Sequence, residues 1–257
     1  MRLALPLIAG LVTLCAWGGE AAAERLTIAL STSDIRINSN FTGVGVTVFG
    51  AIEGAAAGSR PAGYDMAVIV LGPPQSVVAR REDRVVGIWA NAASETLVAA
   101  PSFYAMNASR PPASLAPLEV LERFGLGFDN LAFTYTGRRA VNAPGAGEFR
   151  DAFLRLKRGE GLYSEAPDGV SFIGDAIFRT TVWIPANVPV GDYRVAAYLF
   201  SNGALLASTG DRITISKTGF EQNLSDFAHG RPLTYGLACV ALALFTGWLG
   251  GVIFRRD

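Results

Sequence analysis

Cysteine is nearly absent from this chain. Its 257 residues include only Cys15, Cys239 and a single histidine, His229. Each cysteine lies in an apolar run near one end, so no disulfide can staple the residues between them. That middle part, about 200 residues long, has to be held by packing alone, and it suffices for a core in one or two domains. The lone histidine excludes a Cys/His zinc set, and any nucleophile–His–acid triad would have to use His229 itself. His229 sits in "FAHGRP", just before an apolar run, where a solvated side chain at an interface is the simplest reading. No Gly-Lys phosphate loop occurs, and no GxGxxG follows a strand. No cofactor and no metal is expected.

Charge of one sign is missing too. The chain carries 22 basic and 22 acidic residues, and losing Arg2 and Glu20 with a cleaved leader would keep the balance. Such a chain has no electrostatic footprint for nucleic acid. Glu160, Glu165, Asp168 and Asp175 are spread along loops. Paired carboxylates can carry glycoside chemistry, but this spacing does not pair them. A non-enzymatic protein is therefore expected. The alternative is a membrane-tethered cell-envelope enzyme using carboxylates only. The densest charge cluster is "ARREDR", where Arg80, Arg81 and Arg84 form a candidate docking patch for anionic groups. Charges that keep a hairpin tip solvated are the default reading of such a cluster. Trp89, nearby, reads as packing.

Apolar residues are what the chain has in plenty, at 50%. The N-terminus, "MRLALPLIAGLVTLCAWGGEAAAER", has Arg2, an apolar stretch to Trp17 and a small-residue cleavage site at Ala21-Ala22-Ala23. That is the layout of a secretory signal peptide over 1–23. The apolar stretch is short for a membrane span. At the other end, Pro232 to Phe254 contains no charge in 23 residues, and Arg255 and Arg256 follow at once. As a helix this run is roughly 35 Å long, enough to cross the hydrocarbon core. Tyr235 suits the outer interface, and the two arginines favour the cytoplasmic side. The expectation is a transmembrane helix over 232–254, a juxtamembrane segment over 220–231 and a cytoplasmic tail over 255–257. Such a tail has no room for a signalling output.

Between the ends the pattern is mainly β. "RLTIALS" and "DIRIN" alternate, "VGVTVFGAIE" follows a glycine, and "YDMAVIVLGPP" is apolar enough for a strand buried on both faces. "SVVARRE" and "RVVGIWAN" read as two extended runs around Glu82-Asp83, and "GAAAGSRPAG" as a loop. A β-sandwich-like unit over 24–105 results. A helix-containing connector over 106–165 follows. Its first helix enters near Pro117 and stops at Gly125. Its second buries Phe149, Ala152, Phe153 and Leu156, with Gly159 just past its end. A second β-rich, immunoglobulin-like unit spans 166–219 and is short enough that sharing strands or a core with the first is open. Asn202-Gly203 marks a hairpin. Tyr193 in "VPVGDYRV" is placed like the corner tyrosine that bonds back to upstream backbone. The fold class is thus mainly β, of immunoglobulin-like sandwich units with a short helical insertion and one C-terminal transmembrane helix.

Within that last helix Cys239, Ala243, Gly247 and Gly251 recur at i+4 and share a face. Small residues let helix backbones approach in lipid. This is the candidate helix-packing face, for a membrane-protein partner or a second copy. Glycine and alanine are also simply common in membrane helices.

"YDMAVIVLGPP", "VVARREDRVVGIWAN", "FRTTVWIPANVPVGDYRVAAYLF" and "YGLACVALALFTGWLGGVIFRR", in this order, resemble an alphaproteobacterial transmembrane protein family with no established biochemical role. The resemblance covers nearly the whole mature chain and carries no catalytic motif. It implies a Gram-negative inner membrane with the bulk of the chain in the periplasm. It also implies an accessory protein beside a sulfite-exporter-type permease.

Overall fold

The computed structural model describes residues 24–54, 63–85, 88–136, 146–174, 176–218 and 228–253. The expected signal peptide, most of the Gly54–Gly63 loop, Asp175 and the expected tail lie outside the described residues.

The strands run in chain order as β1 (Arg25–Leu30), β2 (Asp34–Ile37), β3 (Gly43–Glu53), β4 (Tyr64–Leu71), β5 (Pro74–Val85), β6 (Ile88–Pro101) and β7 (Tyr104–Ala108). After helix α1 (Leu118–Phe124) come β8 (Thr134–Thr136), helix α2 (Ala146–Gly159), β9 (Tyr163–Ala166) and β10 (Val170–Ile173). Then β11 (Ile177–Pro185), β12 (Gly191–Ser201), β13 (Ala204–Lys217) and helix α3 (Pro232–Ile253) complete the described chain.

Three sheets form. One has the order β1-β3-β11-β10, the second β2-β13-β12-β4-β7-β9, and the third β5-β6-β8. All pairs are antiparallel except β2 with β13 and β7 with β9. The first two sheets face each other. On β11, Phe178, Thr180, Val182 and Ile184 point inward while Arg179, Thr181 and Trp183 point out. On β12, Tyr193, Val195, Ala197 and Leu199 do the same. All of these inward side chains except Thr180 join Val46, Val48 and Ile213 in one continuous core. A polar bridge crosses it: Asn107 Nδ2 on β7 donates to Thr180 Oγ1 at 2.7 Å and to the Thr181 carbonyl at 3.0 Å on β11.

Strands from 24–105 and from 166–219 share both main sheets. β3 pairs with β11, and β4 pairs with β12. β7 runs across residue 105. The long apolar run of β4 has its reason here. It is an inner strand between β12 and β7, and its residues Asp65 to Val70 are buried on both faces. One face meets the first sheet. The other lies under the connector, whose Leu115, Leu121 and Leu126 are buried in the same core. Phe124 of α1 packs on Tyr198 of β12 with ring centroids 4.9 Å apart.

Local expectations meet mixed outcomes. α1 begins after Pro117 and ends at Gly125 in a left-handed conformation. Asn202 and Gly203 both have positive φ and join β12 to β13. The Tyr193 hydroxyl donates to the Pro189 carbonyl at 2.5 Å, and burial pushes that hydroxyl up to about 12. Three expectations need correction. Glu82-Asp83 does not divide two strands, because β5 runs through it and reverses beyond Val85, which pairs with Ile88. In α2 Leu156 is exposed and Leu154 is buried in its place, beside Phe149 and Phe153. The chain does not leave α2 at Gly159. Gly161 takes the left-handed φ of 71°, and the Leu162 N–H bonds back to the Lys157 carbonyl at 3.0 Å.

Candidate functional site

The connector does more than cover β4. A short 3-10 turn at Phe128–Asn130 is fastened from four sides. The buried Tyr104 hydroxyl donates to the Gly125 carbonyl at 2.8 Å and accepts the Gly127 N–H at 2.9 Å. Arg150 Nη2 of α2 donates to the carbonyls of Phe128 and Asp129, each at 2.7 Å. Asn130 Nδ2 donates to the Leu126 carbonyl at 2.6 Å. The Glu165 carboxylate of β9 accepts from the Phe128 N–H, as an acidic group at the start of a helical turn should. Beneath lies an aromatic cluster in which the Phe128 and Tyr163 rings stack 6.4 Å apart, with Phe153 edge-on to Tyr163 at 5.6 Å.

This frame walls a groove of about 1350 Å³ between the connector, α2 and β9. Its charged lining comes from Asp129, Asp151, Arg155, Arg158 and Glu165. The Arg158 guanidinium sits 5.2 Å over the Phe128 ring, a cation–π contact. Burial raises the Glu165 carboxyl above its ordinary value, and the neighbouring Asp129 charge adds to this. The Phe128 N–H and Arg158 oppose it. Two carboxylates distant in sequence thus come together. Glu165 had looked like one of several loop acids, and nothing local in the sequence ties it to Asp129. Burial also raises the Tyr104 and Tyr163 hydroxyls well above the usual tyrosine range, so both act as fixed hydrogen-bonding groups. Tyr163 donates to the Pro101 carbonyl at 2.6 Å. Among the described residues no cluster of three or more His, Cys, Asp or Glu is arranged to hold a metal ion.

The other candidates lie elsewhere. Arg80, Arg81 and Arg84 all belong to β5, in register with Ser94, Ala93 and Trp89. Arg80 is exposed, and the side chains of Arg81 and Arg84 lie outside the described residues. Cys239, Ala243, Gly247 and Gly251 all fall on α3 and are exposed, and a Cβ added at Gly247 or Gly251 would meet nothing within 4 Å. His229 is exposed one turn before α3.

α3 is exposed along nearly its whole length. Leu233 is 84% exposed and Leu237 71%, with Phe245 and Trp248 also open. Pro232–Gly251 has a mean hydropathy of 1.6 and none of it is buried in the protein. A helix apolar on every side and, among the described residues, not buried against the rest of the protein belongs in lipid.

Two solved structures are similar in part. The sporulation control protein Spo0M from Bacillus subtilis aligns at 10% identity with a TM-score of 0.30, over 81% of this chain and 55% of that one. The alpha-2-macroglobulin of E. coli aligns at 14% identity with a TM-score of 0.26, over 75% of this chain and 10% of that one. This chain therefore spans about half of the first and a tenth of the second. Among curated proteins no sequence matches. A family model does match, over residues 25–256, and it takes in both the β sheets and the exposed apolar helix. The chain accordingly belongs to the transmembrane protein family described as "Putative transmembrane protein (Alph_Pro_TM)".

Proposed function

We propose that this protein is a non-enzymatic, membrane-anchored accessory that holds a β-sandwich on the periplasmic side of an inner membrane. In this reading 1–23 is removed on export, α3 crosses the bilayer once, and residues 255–257 end in the cytoplasm. The observation that carries it is the separation of roles: among the described residues one continuous core gathers both main sheets, and no α3 residue belongs to it. A sandwich that needs no help from its helix can be displayed to a partner. The immunoglobulin-like reading of that sandwich is supported by the Tyr193 corner.

The partner is a membrane protein beside α3, of the sulfite-exporter permease type that the sequence resemblance implies, or a second copy. The small face of Cys239, Ala243, Gly247 and Gly251 would let two backbones approach closely. Affinity purification from native membranes in mild detergent, followed by mass spectrometry, tests this. A specific permease or a second copy should co-purify, and the doubly substituted Gly247→Ile, Gly251→Ile chain should lose it. Purification as a solitary monomer would sink the reading.

One observation favours a second reading, a tethered enzyme that works through carboxylates alone. Burial, with the nearby Asp129 charge adding to it, raises the Glu165 carboxyl, and a carboxyl held above its ordinary value suits a general acid. Membranes carrying Glu165→Gln should then lose a hydrolytic activity that wild-type membranes show.

A further inference from the structure

The outer face of the first sheet carries a tryptophan held in an unusual way. Trp183 points out of β11 and is 59% exposed. Its cross-strand neighbour on β3 is Gly45, and the next outward position on that strand is Gly43. A Cβ at Gly43 would come within 2.7 Å of the indole Cζ2, and one at Gly45 within 3.8 Å of Cε3. These two atoms lie on opposite sides of the six-membered ring. The ring therefore spans both glycines, one face toward bare backbone and the rest open to solvent. Glycine is the residue that lets a ring and a backbone come this close.

The strip continues along the same face. Thr181 lies opposite Thr47, and their Oγ1 atoms share a hydrogen bond at 3.1 Å. Next, Arg179 lies opposite Phe49, which is 43% exposed. From Trp183 to Arg179 is four residues of strand, ~13 Å.

We propose that this strip binds a linear glycan, with Trp183 as its stacking platform. The proposal names a ligand class for the sandwich that the accessory reading displays, and it rests on that reading only for where the ligand is met. Three features select the class. The exposed indole offers an apolar π-surface to the C–H face of a pyranose ring. Hydroxyls and a guanidinium follow along the strip, and these suit sugar hydroxyls. Beside the indole lie Gly43 and Gly45 on β3 and Thr181 and Pro185 on β11, too small or too short among the described residues to wall the deep apolar pocket that buries a protein hot-spot side chain. The ring is already seated, so little side-chain freedom remains to be lost on binding.

Full-length protein in lipid nanodiscs, free of detergents with sugar headgroups, provides the test. Chitotetraose and cellotetraose are titrated, with calorimetry and tryptophan fluorescence as readouts. At least one should bind saturably with a Kd of ~1 mM or tighter. Trp183→Ala should weaken binding about tenfold or more, a loss of about 1.4 kcal/mol, while Trp183→Tyr keeps most of it. An unchanged thermal melt for Trp183→Ala shows that the loss is not unfolding, and Thr181→Val, which leaves the ring in place, should weaken binding more modestly. Absence of saturable binding by both sugars overturns the proposal, as does a Trp183→Ala chain that binds as tightly as the wild type. A partner protein that co-purifies with wild type but not with Trp183→Ala, without sugar binding, overturns it in favour of a protein ligand. Neither result touches the accessory reading, which stands or falls on co-purification by the unaltered chain.

Discussion

Ala99 has a φ of 57° on β6, a backbone conformation that costs an L-residue about 1 kcal/mol or more and glycine very little. Ala99→Gly should therefore raise stability by about 1 kcal/mol, read from thermal melts of the full chain. Glu165 offers a prediction in pH. Its carboxyl is raised in the folded protein, so the fold meets no penalty at a pH below the ordinary carboxyl value and loses stability as pH rises through the folded one. Glu165→Gln keeps an oxygen for the Phe128 N–H and removes the charge. The variant should melt above wild type at neutral pH, and the gap should close on acidification. Single residues differ in how plainly the sequence announces them. Tyr193 and Asn202-Gly203 were readable because the geometry each enforces is local: the tyrosine bonds four residues back and the turn closes on itself. Ala99 was not, since alanine carries no mark of a strained backbone. The Asp129–Glu165 pair was not, since a turn and a strand far apart in the chain bring it together.

In α2 the difference between expectation and structure is one of rotation. Spacing alone put Leu156 on the buried face with Phe149 and Phe153. The helix instead turns Leu154 inward and leaves Leu156 65% exposed. Leu154→Ala should cost about 3 kcal/mol and Leu156→Ala no more than about 0.5 kcal/mol, a contrast that melts of the two variants measure directly. Both leucines fit a helical stripe, so only the packing partner decides between them. The hairpin of β5 and β6 was misread for a related reason. Glu82-Asp83 looks like a turn because charged pairs favour turns, yet β5 carries it within a paired strand. β4 was read well because its signal is burial itself: an uninterrupted apolar run needs neighbours on both faces, and β12, β7, the first sheet and the connector supply them.

For the whole molecule, composition and the C-terminal run were enough to foresee a mainly β chain with one apolar helix, and α3 bears the exposed apolar surface that this requires. Alkaline carbonate washing should leave the protein in the membrane pellet, and deleting 232–257 should release it. The pairing of strands was hidden, because alternation reveals which face of a strand is buried and not which strand lies beside it. That pairing also sets an order of assembly. β3 waits for β11 and β4 waits for β12, partners from the far part of the chain, whereas β5 and β6 meet as immediate neighbours. Closing such long loops is entropically slow, and folds dominated by distant pairings form late. A chain stopped before β11 could pair β1 with β3, β4 with β7 and β9, and β5 with β6 and β8, but the open edges of β3 and β4 would leave both main sheets incomplete. The sandwich can therefore close only after β11 and β12 have been made, and until then one edge of the apolar run of β4 stands open to chaperones and proteases.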